Sequence, residues 1–187
     1  MCNETYKPSD DTFLLMNLIE INGGEKVIEI GVGSGIILAY MLLNGASYGV
    51  GIDVNPYACI STILTLKINK VDKKSDIILC DKLTCINERE LFDIAVFNPP
   101  YLPGTPKDNW LDIATLGGPT GKEVLLDAIK PLRNVVRMNG KIYIVFSEPP
   151  NASRLLYELD RLRLRINKVL KKNFFYETLY AVELIRT

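Results

Sequence analysis

Asn98-Pro99-Pro100-Tyr101 is the segment whose residue types and spacing point most narrowly to chemistry. Two prolines stiffen the turn, and an Asn-Pro junction biases the backbone away from helix. Asn98 offers a side-chain carbonyl and Pro99 a backbone carbonyl. Two convergent acceptors match the two N–H donors of a planar amide or aryl amine, and Tyr101 can stack on that plane. Such a nitrogen is a poor nucleophile while its lone pair stays conjugated. Acceptors on both hydrogens hold it in line with an incoming methyl group and steady the positive charge that develops on nitrogen. The bland alternative is an ordinary Pro-Pro turn, but its place after a strand favours chemistry.

A glycine loop, Gly31-x-Gly33-x-Gly35, follows a buried strand and opens a helix. Missing side chains there let a ligand approach the backbone and the helix dipole. A dinucleotide fingerprint needs glycine at its sixth position, which here is Ile36. The spacing suits S-adenosylmethionine (SAM), which has no pyrophosphate to cradle; the same small residues also serve close packing. Asp53 ends the next strand, 18 positions after Gly35, where a carboxylate can accept from both ribose hydroxyls or simply cap the following helix. Asp81 repeats the arrangement one strand later, as a partner for the adenine amino group or as a solvated turn residue. Three neighbouring strand tips, each carrying a fitting residue, outweigh three coincidences at the edge where open α/β sheets bind ligands.

The rest of the composition narrows the choice. With 187 residues the chain fits one domain, and 48% hydrophobic against 24% charged residues is a globular balance. Lys plus Arg (22) cancels Asp plus Glu (22), so binding driven mainly by phosphate neutralisation is disfavoured. The count of 0 histidines excludes a histidine base, a histidine-activated nucleophile and a histidine-ligated metal. The four cysteines, Cys2, Cys59, Cys80 and Cys85, form no C-x-x-C pair, so no metal site is expected. The polar start Met1-Cys2-Asn3-Glu4-Thr5 does not read as a signal peptide, and the longest apolar run, residues 36–43, is far short of a membrane span. These features predict a reduced, cytoplasmic protein that works without a membrane.

Short β-branched runs alternate with helical patterns, which predicts an α/β fold: a single doubly wound, seven-stranded, mostly parallel sheet closed by a carboxyl-terminal antiparallel hairpin. The predicted helices cover residues 12–20, with Asp10 or Asp11 as cap, then 36–44, 56–70, 122–137 and 152–162. Predicted strands cover residues 26–30, 47–52, 76–80, 92–97, 141–147, 165–174 and 177–185. Residues 102–121 read as an irregular Pro- and Gly-rich loop, long enough to suggest a function.

Glu29-Ile30-Gly31-Val32-Gly33-Ser34-Gly35, Asp53 and Asn98-Pro99-Pro100-Tyr101 together resemble a class I SAM-dependent methyltransferase of the HemK/PrmC type. Members of that family methylate the side-chain amide of the glutamine in the Gly-Gly-Gln motif of peptide chain release factors. The start Tyr6-Lys7-Pro8-Ser9-Asp10-Asp11-Thr12-Phe13-Leu14-Leu15 and the segment Gly117-Gly118-Pro119-Thr120-Gly121-Lys122-Glu123-Val124 resemble the archaeal and eukaryotic branch. The resemblance spans nearly the whole chain. It implies SAM as cofactor, released as S-adenosylhomocysteine, with Glu29, Gly31, Gly33, Gly35, Asp53 and Asp81 around it and Tyr6, Thr12 and Asn98 contributing. Asn98, Pro99, Pro100 and Tyr101 are then the catalytic turn, and Pro8 and Asp11 join Asn98, Pro99 and Tyr101 at the substrate. Bacterial members carry an additional amino-terminal helical domain; only about 30 residues precede the glycine loop here, as in the compact branch. That branch works with a small zinc-binding activator subunit on an edge strand, which in the family's sheet order is residues 76–80. The run Ile77-Ile78-Leu79-Cys80 is unusually apolar for an edge, so either a partner or a loop of the chain itself is expected to cover it.

Arg154, Arg161, Arg163, Arg165, Lys168, Lys171 and Lys172 read as a solvated face more readily than as an RNA site. Trp110 either lines the substrate entrance or anchors its loop. Two other functions compete with glutamine methylation. A DNA or RNA amino-methyltransferase would present the same amine to the same turn, but this short, neutral chain has little surface for extracting a base. A non-catalytic SAM-binding subunit would tolerate a degenerate turn, and here the turn is intact.

Overall fold

Strand and helix boundaries follow from where apolar runs meet Gly, Asp and Pro. β1 (Lys26–Ile30) stops at the glycine loop, and α2 (Ile36–Leu43) begins on its far side. β2 (Tyr48–Asp53) leads into α3 (Pro56–Ile68), which has Pro at its first position and the Asn55 side chain accepting from Tyr57 N–H. β3 (Ser75–Leu79) and β4 (Phe92–Phe97) follow, then α5 (Glu123–Val135), β5 (Val136–Ser147), α6 (Ala152–Arg161) and the hairpin of β6 (Leu164–Asn173) and β7 (Thr178–Arg186). Before all of these comes α1 (Asp10–Leu18). This computed structural model describes residues 4–87, 90–147, 152–175 and 177–187; the side chains of residues 152–154 are also outside the description. The readings placed on Met1, Cys2, Asn3 and Arg154 therefore fall on groups not described.

The strands form one sheet in the order β3-β2-β1-β4-β5-β7-β6. All pairs are parallel except β5 with β7 and β7 with β6, as expected for a doubly wound sheet with a closing hairpin. The order reverses between β1 and β4, so a crevice opens at their carboxyl ends. Alternation along the strands divides the core. Ile28, Ala95 and Phe97 face the layer of α5 and α6, where Leu125, Ile129, Leu132 and Leu159 pack. Val27, Ile94 and Val96 face Leu15, Leu38, Met41 and Leu66 of α1, α2 and α3.

Three expectations are corrected. Ser9 occupies the N-cap position of α1, its N–H donating to Thr12 Oγ1 (3.3 Å), while Asp10 and Asp11 lie in the first turn. The stretch 102–121 is not wholly irregular. It contains α4 (Trp110–Thr115), capped by Asn109 Oδ1 accepting from Asp112 N–H (2.8 Å), and isolated bridges Leu102–Leu116 and Gly104–Gly118. β5 begins at Val136 directly from α5, five residues before the predicted start at Lys141.

Among the basic residues, Lys168 and Lys172 reach Glu20 (2.5 Å) and Asp10 (2.9 Å) beside α1, and Arg161 pairs with Glu158 (2.9 Å). Three of the seven thus pair with local carboxylates, and β6 is exposed along nearly its whole length, in keeping with a solvated face. No helix among the described residues is long and apolar enough to cross a membrane, and no cluster of three metal-ligating side chains occurs among them.

Candidate active site

The crevice at the strand tips is a cavity of about 400 Å³. Its lining brings together Tyr6, Pro8, Asp11, Thr12, Glu29, Gly31, Gly33, Asp53, Asp81, Asn98, Pro99, Pro100 and Tyr101, that is, all the residues expected around cofactor and substrate except Gly35. Gly35 is buried at the N-cap of α2 with φ +79°, and a Cβ there would come within 2.8 Å of the Thr62 backbone. Its glycine serves the packing of α2 on α3, the alternative that the spacing had left open.

Backbone bonds fix the loop that precedes it. Gly31 N–H and Val32 N–H both donate to Ile52 O, at 2.7 and 3.2 Å. Asp53 extends this clamp: Oδ2 accepts from Gly33 N–H (3.0 Å) and Oδ1 from Asn55 N–H (2.8 Å). Each carboxylate oxygen keeps a further lone pair for a ligand hydroxyl. Burial raises the Asp53 carboxyl above its usual range, and the N–H groups of Asn55 and Gly33 oppose that rise. Asn55 also donates through Nδ2 to Glu4 O (2.7 Å), tying the amino-terminal segment over the loop.

Glu29 is the least satisfied group in the cavity. It is only 2% exposed, and its Oε2 has no hydrogen-bond partner among the described residues. Burial, with the nearby Asp53 charge adding to it, pushes the carboxyl well above the ordinary value. A buried acceptor at the wall of a cavity is a site waiting for a donor. The side-chain-free backbone at Gly31 and Gly33, the Asp53 carboxylate and the orphaned Glu29 oxygen suit a ribose-bearing, partly apolar cofactor. SAM is such a group, and the residues fit it.

The Glu29 geometry carries a pH signature. A carboxyl with a raised folded pKa stabilises the fold fully below its unfolded value near 4.5 and loses that contribution as pH climbs through the raised folded value. Glu29→Gln removes this titration. The ligand-free variant is expected to gain melting temperature relative to the parent as pH rises above 4.5, and to show no such gain below it. Parallel melting curves across pH would contradict the assignment.

On the other side of the cavity, Asp11 gathers the polar groups. Its Oδ2 accepts from the hydroxyls of Tyr6 (2.8 Å) and Tyr101 (3.1 Å), and its Oδ1 from Thr12 N–H (2.5 Å). Burial, then the Asp11 charge, pushes both phenols up, so they remain proton donors. Asp11 is 3% exposed, and its bonds hold the Tyr101 ring against the amino-terminal segment. Asp81 sits at the rim, exposed and 3.6 Å from Lys82 Nζ.

Behind the turn lies the segment Gly117-Gly118-x-x-Gly121-x-Glu123. A Cβ on Gly117 would meet Pro100 O at 2.3 Å, and one on Gly121, where φ is +78°, would meet Tyr101 O at 2.2 Å. The glycines let two backbones touch, so this segment braces the turn and does not itself enter the cavity lining. Gly121→Ala is expected to displace Tyr101 and lower turnover about tenfold, with SAM affinity within a factor of about two. Calorimetry beside steady-state rates checks both halves.

Sequence reasoning missed several lining groups, Val54, Asn55 and Phe97 among them, whereas the apolar lid formed by Leu102, Ile113 and Leu116 comes from the stretch 102–121 expected to close over the substrate. Asn55 had a visible signal, an N-cap asparagine before proline. Trp110 opens α4 and faces the cavity, supporting the entrance role.

Comparison with known proteins agrees with this geometry. The ribosomal protein L11 methyltransferase (PrmA) family profile matches residues 12–99. A Methanocaldococcus jannaschii protein described as a candidate N5-glutamine methyltransferase is 31% identical over 183 residues, covering 96% of this chain and 90% of the relative. Methyltransferase HEMK2 of Homo sapiens is 28% identical over 196 residues, covering 99% and 91%. Among solved structures, Mtq2 in the E. cuniculi Mtq2–Trm112 complex, responsible for methylation of the eRF1 termination factor, superposes with a TM-score of 0.74 at 25% identity, covering 98% of this chain and 99% of that one. By fold, by cavity and by likeness along almost its entire length, the chain belongs to the protein N5-glutamine methyltransferases, in the branch of HEMK2 and Mtq2.

Proposed function

We propose that this protein methylates the side-chain amide nitrogen of a glutamine in the Gly-Gly-Gln motif of a peptide chain release factor, with SAM as the methyl donor. The observation that carries the reading is the meeting of the Asn98-Pro99-Pro100-Tyr101 turn and the Glu29–Asp53 wall in one cavity. When bound, SAM supplies an electrophilic methyl carbon on a sulfonium. Asp53 accepts its two ribose hydroxyls, the unpartnered Glu29 oxygen takes a further donor of the cofactor, Gly31 and Gly33 give it room, and Asp81 stands at the adenine end. Asn98 Oδ1 and the Pro99 carbonyl each accept one amide N–H of the substrate glutamine. Tyr101, held by Asp11, stacks on the amide plane. The acceptor pair favours the charged nitrogen as its lone pair leaves conjugation, and the extra proton passes to water. No histidine is needed. The apolar lid around Ile113 and Leu116 excludes competing water.

A partner subunit belongs to this reading. β3 is an edge strand, and Leu79 on it is 59% exposed. Ile60, Leu64 and Ile68 (79% exposed) form an apolar stripe on the adjoining α3. The opposite edge, β6, is lined with Lys168, Lys171 and Lys172, which discourage strand addition. A small zinc-binding protein like the Trm112 that accompanies Mtq2 would add a strand to β3 and cover the stripe.

Labelled SAM offered to a release factor, with and without such a partner, tests the proposal. Label is expected on the intact factor and absent when the motif glutamine is replaced by alanine. Equal labelling of the replaced factor, or labelling of DNA or RNA alone, would overturn it.

A further inference from the structure

Two thiols at the end of β3 take no part in the chemistry above. Cys80 N–H donates to Asp53 O (2.8 Å), which fixes its backbone as a continuation of the β2–β3 ladder. The chain then turns tightly: Thr84 N–H and Thr84 Oγ1 both donate to Asp81 O, at 3.2 and 2.8 Å. The turn carries Cys85 back onto Cys80. The Cys85 thiol and backbone N–H come close enough to the Cys80 sulfur to favour its thiolate, Thr84 Oγ1 lies 3.2 Å from that sulfur, and the Cys80 thiol reaches Asp81 O (3.8 Å). Burial raises the Cys80 thiol, but those bonds outweigh it and bring the group below its ordinary value. Burial and the Cys80 sulfur push Cys85 up to about 11. Both thiols are reachable from solvent, whereas Cys59 lies on the buried face of α3. Asp81 and Lys82, inside the same turn, line the cofactor end of the cavity.

We propose that Cys80 and Cys85 form an oxidisable pair that a small disulfide such as oxidised glutathione closes into an intrachain bond, displacing the Asp81–Lys82 turn and weakening cofactor binding. The Cys80 thiolate attacks one sulfur of oxidised glutathione, forming a mixed disulfide and expelling glutathione thiolate. Cys85, its proton given to water, attacks the Cys80 sulfur and expels the second glutathione. Two protein thiols are oxidised, one glutathione disulfide is reduced to two glutathiones, and the two protons end on them. Closing the bond removes the Cys80 thiol that donates to Asp81 O (3.8 Å), and Asp81 and Lys82 sit inside the ring so closed, so the turn is drawn from its present path. The effect on binding rests on the proposed cofactor site; the disulfide does not.

The full chain equilibrated in glutathione redox buffers, alkylated and mapped by mass spectrometry, tests the bond. Calorimetric titration with SAM, before and after oxidation, tests the coupling. The expected result is a Cys80–Cys85 linked peptide with Cys59 alkylated, and an affinity about tenfold weaker on oxidation, restored by dithiothreitol. The double variant Cys80→Ser, Cys85→Ser is expected to bind SAM equally in every buffer. Absence of the linked peptide, or Cys59 within it, would overturn the pair. A linked peptide with unchanged SAM affinity would overturn the coupling. Failure of the reduced protein to bind SAM would overturn the cofactor site and the coupling together, while the mapped disulfide would still stand.

Discussion

Replacing Asn98 by alanine is expected to lower turnover at least a hundredfold, about 3 kcal/mol of transition-state stabilisation, while SAM affinity stays within a factor of about three. The asymmetry follows from position. Asn98 follows the last residue of β4, on the substrate side of the cavity, whereas the groups proposed to hold SAM stand on β1, β2 and the glycine loop between them. An acceptor lost from the amide leaves one N–H undirected at the moment charge develops on nitrogen, so the loss falls on the chemical step. Single-turnover rates with saturating SAM measure it. A loss confined to SAM affinity would assign Asn98 to the cofactor instead.

Asp53→Ala is expected to do the reverse. Its two oxygens hold Gly33 N–H and Asn55 N–H, at 3.0 and 2.8 Å, and are proposed to accept two ribose hydroxyls. Hydrogen bonds to a charged group contribute about 1.5–3 kcal/mol each, so losing the pair to the ribose weakens SAM binding about a hundredfold or more. The glycine loop also loses its tether to β2, and the melting temperature of the ligand-free protein falls with it. Turnover at saturating SAM declines far less than affinity. Calorimetry and melting curves read the two consequences separately; an affinity within threefold of the parent would remove Asp53 from the site.

The strand tips were legible because each is a sharp change of chemistry. Buried β-branched runs give way to Gly31, Asp53 or Asn98, and a parallel sheet sends all three tips to one edge. The hairpin was legible for the same reason. α4 was not: it has six residues, its apolar side chains point toward a cavity and solvent and not a core, and its neighbours are Gly and Pro. The start of β5 was hidden because Arg137, Met138 and Asn139 are exposed while their backbones join the strand. Pro131 lies inside α5 without ending it, since burial of Leu125, Ile129 and Leu132 outweighs one missing hydrogen bond. Gly35 shows the limit of spacing: three glycines in one loop look alike, and only the close approach of α3 separates the one used for packing. The resemblance implies a substrate contact for Asp11, and in the structure two tyrosine hydroxyls, the Thr12 hydroxyl and the Thr12 N–H bond to its carboxylate, so that it positions Tyr101.

The most direct test of the central claim is a crystal structure of the protein with a non-reactive SAM analogue and a Gly-Gly-Gln peptide. The glutamine amide is expected between Asn98 Oδ1 and the Pro99 carbonyl, with its nitrogen about 3–3.5 Å from the position of the transferable methyl and in line with the sulfur–carbon bond. An amide bound elsewhere, or a nitrogen too far from that carbon for transfer, would contradict the account.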